Sequence, residues 1–292
     1  MKKFTGVGVA LITPFTEDGF VDFQALTRLL EHTQSVDFYV VLGTTGEPAT
    51  MTLAERHAVV RHVVAHNPTA KPIVVGLGGN CTADLVDALQ TFDLSGVSAV
   101  LSVVPYYNKP NQEGIFQHYS VVAKHSPLPV ILYNVPGRTG VNMTAATTLR
   151  LAREFGEKII GVKEASGNLA QVAHILRDRP DNFVVLSGDD NLTLPIIALG
   201  GDGVISVSVN AFTSKFTDMV HSAMGGDLST ASRLNLTLHE ATELLFEEGN
   251  PGGIKAALAS KSIISNVLRL PLTPVSQNLC DRIAVQIQNY DL

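Results

Sequence analysis

The feature that most restricts the fold is a regular alternation of short apolar runs with longer amphipathic segments. There are eight apolar runs, and each begins 20 to 34 residues after the one before it, which leaves room for one helix and two loops. The runs are continuously apolar, as in parallel strands that are covered on both faces. Eight successive β-then-α units predict a (β/α)8 TIM barrel. The predicted strands are residues 7–12, 38–42, 72–76, 99–103, 130–134, 159–163, 183–187 and 203–207.

A doubly wound sheet is the alternative fold for such an α/β pattern. Sheets of that kind more often have fewer strands, and the nucleotide-binding members carry glycine motifs that this chain lacks. The segment that begins at Gly76 is not a G-x-G-x-x-G fingerprint, and no P-loop motif is present. The barrel is therefore the favoured prediction.

The strand pattern stops after residue 225 and helical periodicity continues to the end of the chain. Helices are predicted over residues 227–248 and 277–288, the second with Ser276 as its cap. Asn250 and Pro251 are predicted to start a further helix, with Asn250 as the N-cap and the proline in the first turn. The predicted domains are a barrel, residues 1–225, and a C-terminal helical domain, residues 226–292.

Composition argues against several classes of partner. The net charge is −6 and no block of lysine or arginine occurs, so no nucleic-acid partner is expected. The two cysteines are far apart, which argues against a disulfide framework or a thiolate metal site. The apolar N-terminal segment is interrupted by Pro14, Glu17 and Asp18 and predicts a first strand rather than a signal peptide. No apolar run reaches the ~20 residues of a membrane helix, and we expect a cytoplasmic protein without membrane contact.

The sixth predicted strand is apolar but ends on a charged amine, Lys163. In a TIM barrel the active site lies at the carboxyl ends of the strands. An amine at the mouth of an apolar barrel is partly desolvated, which favours its neutral form, and a neutral amine attacks carbonyl carbons to form a Schiff base. The alternative is a lysine that extends from the strand end into solvent, and position alone does not separate the two.

Other strand ends carry groups that suit an imine mechanism. Tyr133 ends the fifth strand, where its phenol can move protons or its ring can simply pack. Thr44 and Thr45 lie in a glycine-flanked turn whose hydroxyl and N–H groups suit a small carboxylate, although an ordinary turn is the alternative. Arg138 follows a Pro-Gly pair and is either a clamp for a second carboxylate or a solvated surface residue.

Two patterns resemble metal sites only weakly. Asp189 and Asp190 are adjacent, so their side chains point apart, and a helix cap is the favoured role for one of them. His62 and His66 have a spacing that can bind zinc, but their predicted helix lies outside the barrel and no third ligand is evident. We predict no metal site and no cofactor.

Three motifs together resemble the dihydrodipicolinate synthase family, also called 4-hydroxy-tetrahydrodipicolinate synthase, of the class I pyruvate-dependent aldolases. The motifs occur in the expected order, and the resemblance extends over essentially the whole chain. It implies an enzyme that condenses pyruvate with L-aspartate-4-semialdehyde through a lysine Schiff base, in the diaminopimelate route of lysine biosynthesis. The motifs are Gly-Thr-Thr-Gly-Glu at 43–47, Tyr-Asn-Val-Pro-Gly-Arg-Thr-Gly at 133–140 and Ile-Gly-Val-Lys-Glu at 160–164.

By this resemblance, four residues carry the chemistry. Lys163 forms the imine with pyruvate, and Tyr133 is the proton shuttle. In the family the shuttle works with a threonine and a second tyrosine, which correspond to Thr44 and Tyr107. The second tyrosine usually comes from a neighbouring subunit, and the family is commonly a homotetramer built from tight dimers, although some members are dimers.

The same resemblance implies four substrate-binding residues. Thr45 corresponds to the residue that binds the pyruvate carboxylate, and Arg138 to the clamp on the semialdehyde carboxylate. Gly188 lies beside the imine, where a side chain would crowd the substrate. Ile205 corresponds to a residue whose backbone carbonyl faces the pyruvate site.

Relatives on the same scaffold provide the alternative function. N-acetylneuraminate lyase and the 2-keto-3-deoxy sugar-acid aldolases share the lysine, the tyrosine and a similar turn, and they also use pyruvate. They usually lack an arginine at the position of Arg138. Arg138 and Tyr107 together favour the synthase, because a short substrate with a terminal carboxylate needs a matching charge whereas a sugar needs hydroxyl partners.

The chain departs from the family pattern at the lysine-inhibition pocket, which lies at a subunit interface in lysine-sensitive members. Asn80 and Tyr106 match those members, but four other positions differ. Leu53 cannot hydrogen-bond an amino acid, and Arg56 would repel the ammonium of lysine. We therefore predict weak or absent inhibition by lysine. The differing positions are Pro48, Leu53, Arg56 and Asp84.

Overall fold

The structure, a computed structural model, describes residues 3–290. Eight strands alternate with helices along the chain. The strands are β1 Gly6–Ala10, β2 Phe38–Val41, β3 Ile73–Gly76, β4 Ala99–Val103, β5 Val130–Asn134, β6 Ile159–Glu164, β7 Val184–Ser187 and β8 Gly203–Ser206. The helices are α1 Phe23–His32, α2 Leu53–His66, α3 Thr82–Thr91, α4 Gln112–His125, α5 Pro136–Thr139, α6 Ala145–Glu154, α7 Leu169–Asp178, α8 Thr193–Ala198, α9 Thr213–Met224, α10 Leu228–Glu247, α11 Gly252–Ser260 and α12 Gln277–Tyr290.

The strands form one closed parallel barrel in chain order, with β8 paired to β1. Every predicted strand is present, and each end lies within two residues of the predicted one. The predicted (β/α)8 TIM barrel is therefore confirmed, and the closed ring excludes the doubly wound alternative. The strand residues are almost all buried because side chains fill the barrel and helices cover its outside.

The barrel closes at a seam that requires glycine. Gly6 and Gly203 are paired across β1 and β8, and Gly203 has a φ of +142°. A Cβ atom at Gly203 would lie 2.0 Å from the carbonyl oxygen of Gly6. Because only a residue without a side chain permits this approach, glycine is what allows the first and last strands to meet.

Side-chain caps fix where several helices begin. Thr52 and Glu55 form a capping box at the start of α2, in which each side chain accepts a hydrogen bond from the backbone N–H of the other. Ser276 accepts a hydrogen bond from the N–H of Leu279, as predicted for the start of α12. The predicted cap at Asn250 is wrong, because Pro251 occupies the N-cap position of α11 and gives the helix no side-chain cap.

The last three helices, α10 to α12, contact one another, and α10 also packs along α9 of the barrel. The C-terminal segment therefore lies against the barrel rather than apart from it. Within residues 3–290, none of the helices has the length and apolar character required to cross a bilayer.

Candidate active site

Lys163 and Tyr133 lie side by side at the carboxyl end of the barrel. They are partners in the register between β5 and β6, so their side chains project from the same face of the sheet. Lys163 is only 5% exposed, and its Nζ atom lies 4.4 Å from the centroid of the Tyr133 ring. This distance is a cation–π contact. The structure thus places a buried amine against a phenol ring at the barrel mouth.

The residues that follow this pair hold the two strand ends together. Asn134 comes directly after Tyr133, and Glu164 directly after Lys163. The Glu164 carboxylate accepts hydrogen bonds from Asn134 Nδ2, at 3.1 Å, and from the backbone N–H of Ser166, at 2.8 Å. Both side chains are buried, and these hydrogen bonds fix the Glu164 side chain in place. The amine and the phenol are therefore carried on strand ends that are tied to each other.

Gly188 follows β7 and lies against the Lys163 side chain. A Cβ atom at Gly188 would lie 3.0 Å from both Cε and Cγ of Lys163 and 2.7 Å from the Cβ atom of Ala165. A larger residue would have to displace the lysine. Ile205 is the third residue of β8, where it pairs with Gly8 and is 1% exposed.

The turn after β2 presents two threonines in different environments. Residues Thr44–Gly46 form one 3-10 turn, closed by a 3.2 Å hydrogen bond from the Glu47 N–H to the Thr44 carbonyl. Leu42 and Glu47, on either side, have φ values of 58° and 54°, which are uncommon for residues with a side chain. Thr44 is exposed, whereas Thr45 is 2% exposed. Such backbone conformations are often found at functional turns.

Asn250 joins this turn to Arg138. Its side-chain Nδ2 donates to Thr45 Oγ1 at 3.0 Å, and its backbone carbonyl accepts from Arg138 Nη2 at 3.3 Å. Its Oδ1 atom is buried without a hydrogen-bond partner among the described residues. Sequence reasoning assigned Asn250 to a helix cap and missed this role. The only local indication in the sequence was Pro251, which follows Asn250 and occupies the N-cap position itself.

A cavity of about 700 Å³ opens above these residues. Thr44, Tyr133, Arg138 and Asn250 line it, and so does Tyr106. The lining does not include four of the predicted site residues, Thr45, Lys163, Gly188 and Ile205. Lys163 contacts the ring of Tyr133, which does line the cavity. A cavity of this size, with a few polar groups over an apolar base, fits a small molecule.

Tyr107 is the predicted catalytic residue whose side chain lies away from both the cavity and Lys163 in the single chain. Its side chain is 88% exposed, and its backbone has a φ of 71°. The neighbouring Tyr106 lines the cavity instead. The structure of the single chain therefore leaves Tyr107 projecting outward.

The two weak metal patterns have other partners in the structure. His62 lies 2.8 Å from Thr27 Oγ1 and stacks on the ring of His66 with centroids 4.0 Å apart. Asp189 accepts a hydrogen bond from the Asn191 N–H at the start of a 3-10 helix, which is the predicted cap. Over residues 3–290, no cluster of three or more His, Cys, Asp or Glu side chains has an arrangement that holds a metal ion.

Asp190 is buried behind β7 and β8. Its Oδ2 atom accepts hydrogen bonds from the N–H and the hydroxyl of Ser208, both at 2.7 Å, and from the N–H of Val207 at 3.1 Å. Burial raises the pKa of the Asp190 carboxyl, while the hydrogen bonds from Ser208 and the charge of Lys163 oppose the shift. Asp190 thus fixes the backbone just after β8.

Comparison with known proteins agrees with this geometry. The model of the dihydrodipicolinate synthetase family matches residues 3–290. A 4-hydroxy-tetrahydrodipicolinate synthase from Parabacteroides distasonis is 51% identical over 271 residues, which are 92% of this chain and 91% of that protein.

Two solved structures show the same fold over nearly the whole chain. The dihydrodipicolinate synthase of Aquifex aeolicus superposes with a TM-score of 0.94 at 38% identity and covers 99% of both chains. A chloride-inhibited dihydrodipicolinate synthase from Acinetobacter baumannii, complexed with pyruvate, has a TM-score of 0.94 at 35% identity and covers 98% of this chain and 99% of that one. With the barrel, the buried lysine and these relatives in agreement, the chain belongs to the dihydrodipicolinate synthetase family.

Proposed function

We propose that Lys163 forms a Schiff base with pyruvate and that the resulting enamine condenses with L-aspartate-4-semialdehyde. The predicted enzyme class, a lyase with 4-hydroxy-tetrahydrodipicolinate synthase activity, is confirmed by the family and its relatives. The observation that carries the proposed role of Lys163 is its buried amine, 4.4 Å from the Tyr133 ring.

The first half of the reaction takes place on pyruvate. The neutral Lys163 amine attacks the ketone carbon, and the carbinolamine loses water to give an iminium ion. Loss of a proton from the methyl carbon then gives an enamine, which is the carbon nucleophile. Each stage moves a proton. Tyr133, whose ring centroid lies 4.4 Å from the amine, is assigned as the proton carrier, with Thr44 and Tyr107 as its partners in proton transfer.

Thr45 is suited to bind the pyruvate carboxylate. The Thr45 hydroxyl accepts the hydrogen bond from Asn250, so its own hydrogen remains available to donate to an anion. The N–H groups of the tight turn add further donors. Gly188 leaves room for the imine beside Lys163, and the backbone of Ile205 is assigned to the far side of the pyruvate.

Arg138 is placed to bind the carboxylate of the second substrate. It lines the cavity and is anchored by the Asn250 carbonyl. A guanidinium can form two parallel hydrogen bonds with a carboxylate, which would hold the aldehyde towards the enamine. After the carbon–carbon bond forms, the substrate amine attacks the iminium carbon, closes the ring and releases the Lys163 amine.

Tyr107 has a role only if another subunit is present. Its 88% exposure leaves the phenol free to enter the cavity of a neighbouring chain. We therefore propose a homotetramer assembled as a dimer of dimers, acting in the cytoplasm. We also propose that residues 1–225 form the catalytic barrel and residues 226–292 a helical domain that supplies Asn250 to the site.

The test of this function compares substrates. With pyruvate present, aspartate semialdehyde should be consumed in an assay coupled to a reductase that uses the cyclic product. Cleavage of N-acetylneuraminate or of a 2-keto-3-deoxy sugar acid should be slower by orders of magnitude, because Arg138 lies where a sugar needs hydroxyl partners. Faster cleavage of a sugar acid than consumption of the semialdehyde would contradict the proposal.

Lysine should inhibit this enzyme weakly or not at all. Pro48, Arg56 and Asp84 line the cavity beside Asn80, while Leu53 is 60% exposed and apolar. The positive charge of Arg56 would repel the ammonium group of a lysine bound there. Titration of the activity with lysine should give half-inhibition above about 1 mM, where binding is weak. Half-inhibition well below that concentration would contradict the prediction.

A further inference from the structure

A buried ion pair joins the threonine turn to the C-terminal helices. The side chains of Glu47 and Lys255 are both 0% exposed, and Lys255 Nζ lies 2.5 Å from Glu47 Oε1. Glu47 ends the turn that carries Thr44 and Thr45, whereas Lys255 lies on α11. Charges are rarely buried unless they are paired. No step of the proposed reaction uses either group, so the pair needs another explanation.

Several contacts fix both members of the pair. Lys255 Nζ donates to the Val267 carbonyl at 2.9 Å and lies 4.2 Å from the centroid of the Phe15 ring. The backbone N–H of Arg269 donates to the second oxygen of Glu47 at 3.4 Å. Burial lowers the pKa of Lys255 to about 8, and the Glu47 carboxylate opposes that shift. Both ends of the pair are thus held by the barrel and by the C-terminal segment.

The conformation of Glu47 determines the shape of the turn. Its φ of 54° is in the left-handed region, which persists for a residue with a side chain only when the surroundings impose it. In that conformation its N–H closes the turn on the Thr44 carbonyl, and its own carbonyl accepts from the Thr50 hydroxyl at 3.0 Å. A side chain anchored by an ion pair is such an imposed constraint.

We infer that Glu47 is a positioning residue, whose ion pair with Lys255 holds Thr44 and Thr45 in the geometry that binds the pyruvate carboxylate. The C-terminal helices then support the pyruvate site from behind as well as through Asn250. This inference rests on the proposed role of the two threonines. A purely structural pair would stabilise the fold but would leave the affinity of folded chains for pyruvate unchanged.

The test measures how pyruvate saturates Lys163. Four proteins are compared: wild type, Glu47→Gln, Lys255→Met and the double variant. Each is incubated with increasing concentrations of pyruvate, reduced with borohydride and assayed for the adduct on Lys163. The pyruvate concentration for half-maximal labelling depends on affinity and not on the fraction of chains that fold. We expect it to rise about tenfold or more in each variant, because small displacements of binding groups have large effects.

The double variant is decisive because it leaves no unpaired buried charge. Its melting temperature should recover relative to the Lys255→Met variant, while its half-saturation concentration should stay high. A double variant that folds and saturates at the wild-type concentration would overturn the inference. If wild type itself gives no adduct on Lys163, the proposed function fails instead.

The matched control is an ion pair at the other end of the barrel. Arg179 precedes β7 and pairs with Asp202, which precedes β8; their side chains are 16% and 12% exposed. Arg179→Met should lower the melting temperature without shifting the half-saturation concentration. A shift as large as that of Glu47→Gln would mean that any loss of stability changes labelling, and would also count against the inference.

Discussion

Replacing Tyr133 with phenylalanine should lower kcat by about 10²- to 10⁴-fold, the usual contribution of a positioned acid–base group. The ring would still pack on Lys163, since the 4.4 Å contact is to the ring itself. Only the proton carrier is removed, so the enzyme should fold normally and still bind pyruvate. The measurement is steady-state kinetics with both substrates, together with the melting temperature.

Tyr119→Phe is the matched control for this change. The Tyr119 side chain is also buried, and its hydroxyl donates to the Ser102 carbonyl at 2.8 Å. Its loss should cost some stability and leave kcat close to that of wild type. If Tyr133→Phe behaved like Tyr119→Phe, with kcat close to wild type, Tyr133 would not be the proton shuttle.

Replacing Arg138 with alanine should lower kcat/KM for aspartate semialdehyde by about 10²- to 10³-fold, because two charge-assisted hydrogen bonds to a carboxylate are lost. The labelling of Lys163 by pyruvate and borohydride should be nearly unchanged, because Arg138 is assigned to the second substrate. Arg138→Lys should give a kcat/KM for aspartate semialdehyde between those of wild type and Arg138→Ala, because lysine keeps the charge but lacks the planar pair of donors.

The control for Arg138 is Arg150→Ala. Arg150 is a half-exposed arginine on α6 that pairs with Glu113, at 2.7 Å, away from the cavity. Its removal should leave both kcat/KM for aspartate semialdehyde and the labelling of Lys163 by pyruvate unchanged. Equal losses in the semialdehyde reaction and in pyruvate labelling for Arg138→Ala would show that Arg138 supports the site as a whole rather than the second substrate.

The positions of the strands could be predicted because each strand of the barrel has its own local signal in the sequence. Every strand is a short apolar run, and the carboxyl ends of such runs must lie together in a closed barrel. Lys163, Tyr133 and the threonine turn are therefore expected on one rim. The strand pattern does not give the register of β5 and β6, which is what brings the amine against the phenol ring.

Asn250 could not be predicted by the same reasoning. It lies 205 residues after Thr45 in the chain, and an asparagine before a proline looks like the start of a helix. The contact depends on how the C-terminal helices pack over the barrel mouth. The pairing of Glu47 with Lys255 is of the same kind, because neither residue carries a local pattern that indicates its partner.

Tyr107 shows a different limit of sequence reasoning. The motif resemblance gives it a role in a neighbouring subunit, whereas the single chain leaves it 88% exposed. Burial and contacts within one chain determine where the other predicted residues lie, whereas a residue proposed to act in another subunit would take its position from the assembly.

The most direct test of the proposed role of Lys163 is to locate the pyruvate adduct. The enzyme is incubated with pyruvate, reduced with borohydride, digested and analysed by mass spectrometry, with samples lacking pyruvate or borohydride in parallel. We expect a mass gain that requires both reagents and lies on Lys163, and we expect Lys163→Met to lack it. No pyruvate-dependent gain, or a gain on another lysine such as Lys109 or Lys255, would contradict it.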